Sequence, residues 1–162
     1  MLIILMGPPG SGKTTLGRKI ADRHGIQFYD MDDAMPSALK EKMRKGELIS
    51  DVERESLLAS VKSDLYGLLQ HGPVVAGCVL VREKHRREFF ESFPKCIFFK
   101  LVAPPEVLSK RLQGRQSHFF NEAALQKMLA TEERIQIPHH LVDVTRPVDD
   151  IVKDIENQSE LK

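Results

Sequence analysis

The chain has 162 residues, enough for one domain with a full hydrophobic core. Its 24 Lys and Arg against 23 Asp and Glu leave a formal net charge of +1, so there is no global field to gather nucleic acid or an anionic membrane. No apolar run approaches the roughly 20 residues of a membrane span, and the two cysteines, Cys78 and Cys96, make no disulfide framework and read as buried thiols of a reducing cytoplasm.

Leu2–Met6 reads as a buried strand; no basic stretch precedes it, as a signal segment would require. Gly7-Pro8-Pro9-Gly10-Ser11-Gly12-Lys13-Thr14 then fills the pattern G-x-x-x-x-G-K-[ST] at every fixed position. Leu16, Ile20 and Ala21 recur at helical spacing over 13–24, up to Gly25. Strand, loop and helix are the context a phosphate-binding loop requires. Its glycines let the backbone aim several N–H groups at one anion, and the helix dipole acts on the same spot. Lys13 supplies a compact charge for the outer phosphates, and Thr14 a hydroxyl for Mg2+. Gly7 through Thr14, with the adjoining Thr15, are the expected nucleotide contacts.

Ile26–Tyr29 is the second strand, followed by a helix over 33–45 ending at Gly46. Ser50 and Glu53 form a capping box. It opens a helix whose Leu57, Leu58, Val61, Leu65, Leu68 and Leu69 make one face. Val74–Gly77 is the third strand. Residues 82–92 read as a charged helix with Phe89 and Phe90 inward and the basic run Arg82–Arg87 in solvent. Cys96–Leu101 is the fourth strand. Pro104 and Pro105 suit the first turn of a helix to about 113. A polar loop spans 114–121, and Asn121 caps a helix carrying Leu125, Met128 and Leu129. His140–Val144 is the fifth strand; the last helix covers 147–157, with a fraying tail. This alternation predicts an α/β fold with a parallel sheet covered on both faces.

A phosphate loop implies a nucleotide and leaves its use open. The guanine-reading Asn-Lys-x-Asp pattern is absent, and Asp64–Gly67, an Asp-x-x-Gly, lies inside a helix. The third strand carries no acid to hold a metal in the ATPase manner. Asp30 and Asp32 stand at the end of the second strand, where ligand crevices form, and two-residue spacing in extended chain puts both on one side. One suits Mg2+ through water; the other suits the proton of an attacking hydroxyl. Asp33 suits a helix cap. Arg111 and Arg115, four apart, suit the charge on a transferred phosphoryl group.

Four blocks resemble the small gluconate kinases, relatives of shikimate and nucleoside-monophosphate kinases. They are Phe28-Tyr29-Asp30-Met31-Asp32-Asp33 with Pro36; Lys42-Met43 and Gly46 followed by Ser50-Asp51 and Arg54; Ala76–Arg86; and Arg111-Leu112, Arg115, His118-Phe119. The resemblance runs through most of the chain. It implies one three-layer P-loop kinase domain over 1–162, a five-stranded parallel sheet in the order 2-3-1-4-5, and a lid near 114–121. It implies a cytoplasmic ATP- and Mg2+-dependent phosphotransferase acting on a small anionic metabolite, with gluconate leading. Shikimate, another sugar acid, a nucleotide, or a non-catalytic nucleotide-binding module are the alternatives.

By the same resemblance Lys13, Asp32 and Arg115 would be catalytic. Thr14 and Asp30 would serve the metal, and Arg111 the nucleotide. Asp32, Arg54, Arg82 and His118 would hold the acceptor, with Arg54 facing its carboxylate. Relatives are often dimers. The chain departs from the pattern at Met35, Val81 and Lys127-Met128, which stand where relatives carry polar residues around the acceptor.

Overall fold

The computed structural model describes residues 1–115 and 120–161. Its strands are β1 (Leu2–Met6), β2 (Gln27–Asp30), β3 (Val74–Cys78), β4 (Cys96–Val102) and β5 (His140–Asp143). Its helices are α1 (Lys13–His24), α2 (Met31–Ala34), α3 (Ser37–Arg44), α4 (Asp51–Leu69), α5 (Glu83–Ser92), α6 (Pro105–Gln113), α7 (Glu122–Thr131) and α8 (Val148–Ser159). All strand pairs are parallel and the sheet order is β2-β3-β1-β4-β5, as expected.

β1 is central, so both its faces are covered and all five residues are buried. Leu2, Ile4 and Met6 join one core with Leu57, Leu58, Val61 and Leu65 of α4 and Leu125 and Met128 of α7. Ile3 and Leu5 join the other, with Leu16 and Ile20 of α1 and Ile151, Val152 and Ile155 of α8. Each such side chain contributes about 2 kcal/mol by leaving water. Register then aligns the strand ends: Asp30 pairs with Gly77, and Gly77 with Leu5. The first loop, the end of β2 and the end of β3 therefore meet on one rim.

Several expectations change. The helix placed at 33–45 is two helices, because Pro36 lacks an N–H and holds Met35 extended, at φ −71° and ψ 126°. Phe90 is 42 % exposed, not inward; it lies 6.4 Å from Phe98 while Phe89 fills the core. Cys78 is buried, and burial pushes its thiol up to about 12. Cys96 is only half-buried. The tail does not fray at 157: α8 continues to Ser159, which is buried, and Leu161 packs on the second core.

The basic run is not a solvated face throughout. Arg86 is 0 % exposed. It donates to the carbonyls of Leu80 at 2.8 Å, Val81 at 3.3 Å and Glu133 at 2.8 Å, and pairs with Glu83 and Glu132. This arginine fastens the turn after β3 to the segment after α7. His85 is buried beside it.

Candidate active site

The phosphate loop connects β1 to α1. Gly10 has φ +84°, and a Cβ there would stand 2.9 Å from the Leu108 carbonyl, so the tight turn requires glycine. Lys13 is buried and curls back, donating to the carbonyls of Gly7 at 2.8 Å and Pro8 at 3.0 Å. Burial lowers its pKa, against the pull of Asp32 and Asp30. An incoming phosphate would supply the anionic partner that its present carbonyl contacts lack.

Asp30 has two roles at once. Its Oδ1 accepts the N–H of Asp32 at 3.0 Å, capping α2, and its Oδ2 accepts the hydroxyl of Thr14 at 2.7 Å. The cap expected from Asp33 is thus made by Asp30. The geometric reason given for Asp30 and Asp32 also fails. Only Asp30 is in the strand, and Asp32 faces the site from the first turn of α2.

The two nevertheless share one cleft of about 460 Å3 with Gly10, Lys13, Thr14 and Arg115. Arg18, Asp33 and Lys40 line it too. Lys40 and Arg18 were not anticipated; Lys40 carried no motif signal, and only the turn at Pro36 aims α3 toward the loop. Tyr29 points elsewhere, donating to Asp64 at 2.7 Å, and its pKa is raised chiefly by burial.

Next to this cleft, and sharing Pro9 and Asp32 with it, is a narrow pocket that also meets Arg54. Arg54 is 3 % exposed. Its guanidinium makes no hydrogen bond or ion pair with any described residue, and burial lowers its pKa. α4 holds it there because the capping box is complete: Ser50 accepts from the Glu53 N–H at 3.2 Å, and Glu53 from the Ser50 N–H at 2.6 Å.

Other expected residues lie apart. Arg82 is engaged with Asp51 and Glu133, each at 3.3 Å, and lines neither the cleft nor the pocket. Arg111 donates to the Val144 carbonyl at 2.7 Å and the Gly10 carbonyl at 3.5 Å, beneath the loop and outside the cleft. It does not share a helical face with Arg115, because α6 ends at Gln113. His118, and residues 116–119 of the expected lid, lie outside the described residues. Met35 and Val81 are buried in the first core, and Lys127 donates to the Gly46 carbonyl at 2.7 Å.

A family model described as AAA domain matches residues 3–124. A probable gluconokinase of Dictyostelium discoideum is 32 % identical, over 97 % of this chain and 85 % of its own length. The chain belongs to the gluconokinase family. A probable gluconokinase of Xenopus tropicalis is 30 % identical over 100 % of this chain and 95 % of its own. The solved gluconokinase from Sinorhizobium meliloti 1021 superposes with a TM-score of 0.82 at 31 % identity, covering 98 % of this chain and 90 % of that one. As a gluconokinase-family P-loop kinase, the chain is an ATP-binding phosphotransferase with a hydroxyl acceptor. No described helix is long and apolar enough to cross a membrane.

Proposed function

We propose that the chain transfers the γ-phosphoryl group of Mg-ATP to a hydroxyl of a small hydroxy acid, with gluconate, after which its relatives are named, as the reference acceptor. The observation that carries this reading is Arg54. A buried guanidinium that makes no ion pair with any described residue is costly unless an anion completes it. It lines a pocket that also meets Asp32 and Pro9, beside the phosphate loop. A planar fork suits a carboxylate in two-point contact.

In this reading the nucleotide phosphates lie along Gly10–Thr15, with Lys13 released from its loop carbonyls to bind them. Thr14 Oγ1 and Asp30 Oδ2, 2.7 Å apart, are hard oxygen donors of the kind Mg2+ takes alongside phosphates and water. The ion would neutralise charge on the phosphates. Arg54 fixes the acid so that its hydroxyl approaches Asp32. The new bond forms between that oxygen and the γ-phosphorus as the bond to the ADP oxygen breaks. Asp32 accepts the hydroxyl proton. Arg115, on the cleft wall, offers positive charge to the transferred group.

The test is ADP release from Mg-ATP by the purified chain with gluconate, other sugar acids, shikimate and nucleoside monophosphates. Stimulation by a carboxylate-bearing alcohol is the expected result. Stimulation by nucleoside monophosphates alone would reassign the acceptor. ATP binding with no stimulation by any compound would overturn the reading in favour of a non-catalytic module.

A further inference from the structure

α3 stands between the two halves of the site. Lys40 lines the phosphate cleft, and Met43, three residues on, lines the pocket that meets Arg54. That spacing puts both on one helical face. A helix of eight residues does not hold itself in place. α3 starts directly after Pro36, and Lys42 pairs with Glu53 of the α4 capping box at 2.9 Å. Its last turn is held from another direction, by α7.

Asn121 joins the start of α7 to the end of α3. Its Oδ1 accepts the Ala124 N–H at 2.9 Å, capping α7, while its Nδ2 donates to the Arg44 carbonyl at 2.9 Å. Lys127, further along α7, donates to the Gly46 carbonyl at 2.7 Å. Both carbonyls lie at the C-terminal end of α3, where helical partners run out and a positive charge is favoured. Gly46 is buried, with φ +79°, and a Cβ there would stand 3.3 Å from Asn121 Nδ2, so a side chain would press on the same contact. The first turn of α7 also reaches α6: Gln113, two residues before Arg115, donates to Glu122 at 3.2 Å.

Resting on the kinase reading above, we infer that Asn121 and Lys127 are positioning residues for phosphoryl transfer. They line neither the cleft nor the pocket. They act through α3, fixing its last turn so that Lys40 stays at the phosphate cleft and Met43 at the Arg54 pocket. A charge-assisted bond is stronger than a neutral one, so Lys127 contributes the larger share. Release of that turn lets α3 pivot about Pro36 and loosens the wall against which the acid is held. The nucleotide loop is anchored separately, between β1 and α1.

The test is steady-state kinetics of the full chain, with ATP and the acceptor acid, gluconate first, varied in turn. Asn121→Asp keeps the oxygen that caps α7 and loses the donor to Arg44. Lys127→Met keeps an unbranched side chain and loses the charge. Each should raise KM for the acid by about fivefold or more and leave KM for ATP within about twofold. Asn121→Asp should melt with the wild type, because Asp caps a helix as well as Asn does. Lys127→Arg, which can still donate, should recover most of the loss. Amide hydrogen exchange without substrates should be faster over 40–46 in Asn121→Asp and unchanged over α1. An unchanged KM for the acid in both variants, an equal rise in both KM values, or unchanged exchange over 40–46 would overturn this inference and leave the kinase reading standing. No ADP release by the wild-type chain with any acid would overturn both.

Discussion

Two cations of the site can be removed without loss of the fold. Lys13 is held by its own loop through two carbonyls, and burial lowers its pKa against the pull of Asp32 and Asp30. Lys13→Ala should lower kcat by about a hundredfold or more while the chain stays folded; near-normal turnover would refute the mechanism. Arg54 has no ion pair with a described residue to lose. Arg54→Met should reduce kcat/KM for a carboxylate acceptor by about 2–3 kcal/mol in transition-state binding. The same variant should melt no lower than wild type, because a buried charge without an ion pair among the described residues is removed. Acceptor kinetics and thermal denaturation on one preparation check both halves. Arg86 is the contrast. It holds three carbonyls and two carboxylates with no exposure, so Arg86→Ala should cost about 3–5 kcal/mol by urea unfolding.

At the scale of elements, the site depends on how helices begin. α2 begins at Asp30 and α4 at Ser50, and each cap delivers an acceptor-side residue, Asp32 or Arg54. Ser50→Ala should cost about 1 kcal/mol and loosen the turn carrying Arg54. Hydrogen exchange at the amides of residues 51–54 would report that loosening. The capping box was legible because its signature is local. The break between α2 and α3 was less so, since residues 33–45 carry one continuous helical pattern that Pro36 interrupts. α1 lies against β2 because Gly17 has no side chain: a Cβ there would stand 2.2 Å from the Phe28 ring. That fit is between elements, and neither segment announces it alone.

Across the whole molecule, His85 couples packing to pH. Both its ring nitrogens are buried without a hydrogen bond. Lys84 and Glu88 face it from α5, and Arg54 and Glu55 from α4. Burial lowers its pKa below the ordinary 6.5, with Lys84 and Arg54 acting in the same direction. The folded state therefore favours the neutral ring. That stability is present above pH 6.5 and is lost as pH falls from there through the lowered folded value. Melting temperature should drop on moving from neutral pH toward pH 5, and His85→Phe should flatten the drop; an unchanged pH profile in that variant would remove His85 from the account.

Gly7–Thr14 and the strand–helix alternation could be read directly, because backbone-directed patterns are contiguous and a parallel sheet repeats them. Asp30, Asp32 and Arg115 could be nominated for the same reason, from their places after a strand and a helix. What surrounds them could not. Met31, Val79, Phe120 and Met128 are scattered along the chain, and their meeting with Arg54, which the family resemblance had nominated, depends on the angles at which α2, α4 and α7 cover the rim of the sheet. Arg82 and Arg86 show the same division within one run. Identical side chains four residues apart take opposite fates, one at an exposed ion pair and one fully buried, because only Arg86 lies under the returning segment at Glu132 and Glu133. The sequence by itself determined the fold and the phosphate-handling chemistry, which are local in origin. Tertiary structure alone decided which cations are free to meet a substrate and what chemistry the acceptor pocket presents, since both follow from contacts between residues far apart in the chain.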